Sequence, residues 1–267
     1  MSTVGLDIID DGVLQVTFRR PEALNTLNWT LVRDFLAVMD EVERDARARV
    51  VVLTGAGRAF CAGFDLSGYG DDERLAQMGT TRGLLVRQQE ISEMVTRLYA
   101  LRVPVIAAIN GPCAGAGISY AAACDIRIAA ESTVFSTAFL RAGVSACDLG
   151  ISWLLPRIVG VGRATELLYT VRRFHADEAL SYGLVTDVVP ADQLITAALV
   201  IAGQIKRNPP LQTALTKAGI GLALQSGSLR DVIEFENRQQ VLTAMTDDYR
   251  EAIDSYLGKR DPRYANR

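Results

Sequence analysis

Apolar residues recur along this chain in three ways. Residues 4–9 and 13–18 alternate weakly about Asp10-Asp11-Gly12, which predicts a β-hairpin. Leu31, Phe35, Leu36, Met39 and Val42 fall at helical spacing and predict a helix starting near Thr30. Residues 49–54 and 105–109 are short continuous apolar runs, the pattern of buried strands. Helical spacing returns over residues 84–101 through Leu85, Ile91, Met94, Val95 and Leu98. The stretch between, residues 68–82, is polar and glycine-rich and predicts a mobile or variable loop placed to line or cover a site. Further strands are expected at 126–130, 133–135 and 184–189. Helices are expected from Ile151 toward Pro156, over 163–170 and from Ala176. Four more should fill 191–206, 210–224, 228–244 and 247–257, many with one apolar face of the kind that builds a core or a subunit interface.

Two breaks in this pattern carry the chemistry. The run ending at Ile109 is stopped by Asn110-Gly111-Pro112, and Gly115-Ala116-Gly117 then opens onto an apolar helix. Small residues at such a turn let a ligand approach the backbone. The first amides of a helix have no intrahelical acceptor, so an oxygen bearing negative charge can sit there. About fifty residues earlier a second strand ends at Gly55-Ala56-Gly57-Arg58, and residues 59–66 again combine small residues with a short apolar strand. Two such turns suggest paired backbone donors. A dinucleotide fingerprint would need a small residue where Tyr120 stands, and no Lys-Ser or Lys-Thr follows to complete a phosphate loop. A nucleophile elbow is nearly present in Gly117-Ile118-Ser119-Tyr120-Ala121, and Ser119, Asp148 and His175 follow the order of an α/β hydrolase. That rival lacks the second glycine and an HGGG-type loop, and His175 reads as a surface residue. The plainest alternative is that the glycines serve only close helix–sheet packing.

Composition narrows the classes. With 267 residues, 49% of them hydrophobic, the chain can bury a substantial core as one large domain or a domain with an appendage. A net charge of −3, a pI near 5.4 and no block of Lys or Arg argue against a nucleic-acid partner. No apolar run is long enough to span a membrane and the N-terminus is acidic rather than signal-like, so a soluble cytoplasmic protein is expected. One histidine and four cysteines without C-x-x-C spacing give no metal site; Cys61, Cys113, Cys124 and Cys147 are expected as buried reduced thiols.

Several ordered motifs resemble the crotonase superfamily of enoyl-CoA hydratases and isomerases. They are Arg20-Pro-Glu-Ala-Leu-Asn, the run from Val51 to Leu66, Asn110-Gly-Pro-Cys-Ala-Gly-Ala-Gly, Cys124-Asp-Ile-Arg-Ile-Ala, Leu154-Leu-Pro-Arg-Ile-Val-Gly and Ala179-Leu-Ser-Tyr-Gly-Leu-Val, with the helical tail. The resemblance spans nearly the whole chain. It implies an α/β crotonase-like spiral of ββα units over residues 1–200, carrying an acyl-CoA site. It also implies a C-terminal helical trimerisation region over 201–267, giving a homotrimer or a dimer of trimers. The coenzyme A thioester is then the substrate, with no separate cofactor and no metal.

By the same resemblance the amides of Phe64 and Ala116 polarise the thioester carbonyl, the latter in place of the family's usual glycine. Ala62, Asp65, Leu66 and Ser67 flank the first donor as substrate contacts. Arg58 matches a basic residue near the CoA phosphates, Glu22, Ala23 and Leu24 a loop beside the adenine, and Tyr256 and Lys259 residues that reach the CoA of a neighbouring subunit. Taken alone, Lys259 is a solvated charge at a helix end. The two glutamates that split water in the hydratases are replaced by Ser119 and Phe139, neither of which is a carboxylate base.

One acid remains, Asp148, where several double-bond isomerases of the family carry a catalytic Asp. A pocket lined by Phe139, Leu140 and Trp153 would raise its pKa by desolvation, as proton shuttling favours. Alternatively, Asp148 only caps the following helix. A non-catalytic acyl-CoA binder of the same fold also accommodates the loss of both glutamates.

Overall fold

A computed structural model describes residues 2–267. The hairpin β1 (Val4–Asp10) and β2 (Val13–Phe18) leads into α1 (Trp29–Arg44) and β3 (Val50–Gly55). Helix α1 starts at its cap: the amide of Leu31 donates to the Asn28 side chain at 3.0 Å. Next come α2 (Asp72–Gln77), α3 (Thr80–Ala100), β4 (Val105–Ile109), the short β5 (Cys113–Ala114), α4 (Ala116–Ala123), β6 (Ile126–Ala130) and β7 (Val134–Ser136). The chain continues through α5 (Ile151–Val159), α6 (Val161–Thr170), β8 (Phe174–His175), α7 (Ala176–Ser181), β9 (Asp187–Val189) and α8 (Leu194–Lys206). It closes with α9 (Pro210–Gln225), α10 (Leu229–Ala244) and α11 (Asp247–Leu257).

Six strands form one sheet in the order β1-β2-β3-β4-β6-β9, parallel except for the opening hairpin, and β5-β7-β8 form a second, smaller sheet. Successive units therefore place one strand in each sheet: β4 with β5, then β6 with β7. The central strands are apolar on both faces because both are covered. Val51, Leu53, Val105, Ala107 and Ile109 belong to the core shared with α1, α3 and α4. Val50, Val52, Ile106 and Ala108 meet Leu194, Ala198 and Ala202 of α8.

Four expectations are corrected. Residues 68–82 are not a continuous loop: α2 occupies 72–77 and α3 begins at Thr80. Leu75 is the one buried residue of α2, so apolar spacing gives no signal there; the helix is held instead by Arg74, which donates to both oxygens of Glu90 at 2.9 and 2.7 Å. Residues 59–66 make only isolated bridges at Cys61 and Phe64, and Leu66 is 87% exposed. The last strand is confined to Asp187–Val189, since Leu184 and Val185 are buried outside the ladder. Cys147 is exposed, unlike the other three thiols.

Candidate active site

The two glycine turns are pressed together. Amides of Phe60 and Cys61 donate to the Pro112 carbonyl at 3.2 and 3.3 Å, and the Ala114 amide donates to the Cys61 carbonyl at 2.9 Å. Asn110 ties the pair from one side, accepting from the Gly55 amide at 3.2 Å and donating to the Gly57 carbonyl at 2.9 Å. Contact this close needs glycine: a Cβ on Gly117 would stand 2.1 Å from the Cys61 oxygen. Gly63 and Gly115 take φ of +104° and +52°, where other residues are strained, and a Cβ on Gly115 would stand 3.6 Å from the Gly63 Cα.

This lattice of backbone bonds occupies several amides in the two turns. Ala62 donates to the Leu24 carbonyl and Asp65 to the Leu27 carbonyl, while Leu27 in turn donates to the Gly63 carbonyl at 2.8 Å. Gly115 donates to the Ser136 carbonyl at 3.0 Å. Among the described residues, the amides of Phe64 and Ala116 have no acceptor. The latter opens α4, whose N-terminus adds its dipole to the same place.

Asp148 lies in the turn before α5, between that helix and α3. Its carboxylate accepts a short hydrogen bond from the Gln88 side chain of α3 and another from the Leu149 amide at 2.8 Å. Gly150 sits against Val95 of the same helix. Burial drives the Asp148 pKa above the ordinary carboxylate value, and the Leu149 amide and Gln88 oppose that rise. The capping role is not what its side chain does: α5 is capped by Gly150 without any side-chain bond, while Asp148 supplies only its backbone carbonyl, to Ile151 at 3.0 Å.

Other predicted residues divide clearly. Phe139 is buried and Leu140 exposed, whereas Trp153 is turned toward Tyr99, edge-on at 5.7 Å, with the Arg157 guanidinium stacked on it at 3.9 Å. Trp153 lines a cavity of about 610 Å³ between α4, α5 and α9, which includes none of Phe64, Ala116, Phe139, Leu140 and Asp148. Asp65 is held by Arg20 at 2.8 Å and accepts from Ser67, whose side chain is exposed, so its carboxylate braces the turn. Glu22 and Ala23 belong to a single 3-10 turn, followed by Leu24 at φ 52°, and a Cβ on Gly57 would meet the adjoining Pro21; this brings the loop beside exposed Arg58. Tyr256 and Lys259 are exposed at the end of α11.

The hydrolase arrangement is absent. Ser119 is fully buried, its hydroxyl has no partner among the described residues, and His175 is exposed in β8. Gln88 joins Asp148 without having been picked out from the sequence. The hydroxyls of Tyr69 and Tyr120 are buried and, like that of Ser119, lack partners among the described residues. Nothing in the periodicity marks them.

Residues 9–267 match the family model described as "Enoyl-CoA hydratase/isomerase". The chain is 35% identical over 263 residues to the 1,2-epoxyphenylacetyl-CoA isomerase of Escherichia coli (strain K12), covering 98% of each chain. It is 34% identical over 265 residues to the probable enoyl-CoA hydratase echA12 of Mycobacterium bovis, covering 98% of this chain and 93% of that one. The crystal structure of a probable enoyl-CoA hydratase/isomerase from Mycobacterium abscessus superposes over the whole length of both chains with a TM-score of 0.92 at 30% identity.

Proposed function

Because the chain belongs to the enoyl-CoA hydratase/isomerase family, we propose that it isomerises an unsaturated acyl-CoA, with Asp148 as its single proton carrier. The observation that carries this reading is the pair of unpartnered amides, Phe64 and Ala116, on turns held in backbone contact. Such a pair is suited to an enolate oxygen, and a fixed donor of this kind is commonly worth about 3 kcal/mol in the transition state. Once the thioester oxygen is so held, an α- or γ-proton passes to the Asp148 carboxylate and returns at another carbon of the same enolate. One acid suffices, because no water is added. Ser119 and Phe139 at the glutamate positions favour this over hydration. The name of the E. coli relative, an isomerase, points the same way.

Glu22, Ala23, Leu24 and Arg58 are then the CoA contacts of one subunit, and Tyr256 and Lys259 reach toward a neighbour's CoA. Helices α9 and α10 contain no buried residue, although Leu211, Ile220, Leu222, Leu224, Ile233 and Leu242 lie on them. We infer that other copies of the chain cover these faces; light scattering should give the mass of a trimer or hexamer, and a monomer would contradict it.

The deciding experiment follows exchange of the α-protons of acyl-CoA in deuterated water. Exchange that disappears in Asp148→Asn supports isomerisation. Tight acyl-CoA binding without exchange in the unaltered protein supports a carrier instead.

A further inference from the structure

Outside the catalytic turns, one buried charge lacks a counter-charge. Arg127 of β6 is only 9% exposed, yet among the described residues it makes no ion pair with a carboxylate. Its Nε and Nη1 donate to the carbonyls of Leu184 at 2.7 Å and Cys124 at 2.5 Å, and among the described residues its Nη2 has no acceptor. Asp125, two residues away, is already engaged: it accepts from Lys217 Nζ at 2.8 Å and from the Val105 amide at 2.7 Å. Carbonyls satisfy N–H groups but do not neutralise a cation, and a buried cation left so is costly. Burial accordingly lowers the Arg127 pKa, with Cys124 and Asp125 acting against it.

Arg127 lines the cavity of about 610 Å³ between α4, α5 and α9, a volume within the range of small-molecule sites. Arg157 lines it too and is also without a carboxylate: its guanidinium stacks on Trp153 at 3.9 Å and donates to that residue's carbonyl at 2.9 Å. With Lys217 and Asp125, the wall sets three cations against one carboxylate. Much of the rest is apolar, including Ile126, Trp153, Ile158 and Ile205.

We propose that this cavity binds an amphipathic monocarboxylate, a free acid with an apolar body whose charge is answered by Arg127 and Arg157, at a site separate from the thioester's. A guanidinium with a free N–H suits a carboxylate in geometry as well as charge. A neutral apolar molecule would fill the space but leave the Arg127 charge uncovered, and a small hydrophilic anion would leave the apolar wall unused. None of Phe64, Ala116 and Asp148 lines the cavity, so the acid and an acyl-CoA need not compete. Ile220 and Leu224 on its wall belong to the α9 face assigned above to other copies of the chain, which makes a neighbouring subunit the rival occupant.

Calorimetry on the unaltered protein with octanoate, octanamide and acetate tests this. Octanoate should bind about tenfold or more tightly than octanamide, which lacks the charge, and than acetate, which lacks the apolar body. Arg157→Gln should cut the octanoate-to-octanamide ratio about threefold or more while octanamide affinity stays the same. Arg127→Met should do likewise, and Arg157→Gln carries the test if that buried change prevents folding. Saturating octanoyl-CoA should leave octanoate binding intact. Equal affinities, a preference that survives both substitutions, or displacement by octanoyl-CoA overturns the proposal. So does an absence of octanoate binding, which would leave the cavity to a neighbouring copy. Loss of α-proton exchange in the unaltered protein would overturn isomerisation without altering these ratios.

Discussion

The two parts of the proposed chemistry are built by opposite means. The amide donors are set by main chain lying on main chain: Cys61 pairs with Cys113, Gly63 abuts Gly115, and Gly117 has no room for a methyl group. The acid is held by side chain and loop: Asp148 sits in a turn with Leu149 at φ 46° and takes its one side-chain donor from exposed Gln88. The first arrangement has no freedom to drift. The second can be adjusted by one substitution, so affinity for the thioester and the timing of proton transfer should respond to different mutations.

Removing the acid should have the largest effect. Asp148→Asn is expected to lower exchange and turnover by about 10²–10⁴-fold while acyl-CoA still binds, as stopped turnover with retained calorimetric binding would show. The same variant should be more stable than the parent at neutral pH. Because folding raises the Asp148 pKa, its contribution to stability is fully present below the unfolded value and is lost as pH rises through the folded one. Thermal melts across that window should therefore show the gain over the parent vanish in acid. If Asp148→Asn melts lower at neutral pH, its carboxylate is structural and the contrast fails.

Gly117→Ala tests the backbone side. The new methyl would meet the Cys61 oxygen at 2.1 Å, so the turns must part, and loss of one aligned donor costs ~10²-fold or more in turnover. Overpacking should also lower stability by about 1–3 kcal/mol, readable from denaturant midpoints. Unchanged turnover in a folded Gly117→Ala protein would mean that donor spacing does not matter.

Gln88→Leu should be the mildest. It removes one hydrogen bond to a charged group, worth roughly tenfold in turnover. Since Gln88 lowers the Asp148 pKa, its loss lets burial raise that pKa further. The acidic limb of kcat/KM should move to higher pH, because the base acts only when ionised. A limb that stays in place would detach Gln88 from the proton-transfer step.

This contrast also separates what could be read from the chain from what could not. Backbone turns announce themselves locally: glycines at 55, 57, 115 and 117, each beside a short apolar stretch, predicted both turns, and continuous apolar runs predicted β3 and β4. The Gln88–Asp148 bond joins residues sixty positions apart, and no local pattern encodes it. Helix α2 escaped for the same reason, its stability residing in Arg74 and Glu90 on different elements. Tyr69 and Tyr120 fit an apolar pattern as well as phenylalanine would; their missing partners exist only in three dimensions. Trp153 shows the converse: it was expected in a pocket with Asp148, but α5 turns it to the cavity under α9.

The abutment of Gly63 on Gly115 has a practical meaning for anyone reshaping this protein. The turns meet there main chain on main chain, at a van der Waals distance that leaves no side chain between them. Gln88 and the turn around Asp148 lie outside that contact, so substitutions there should leave its gauge unchanged.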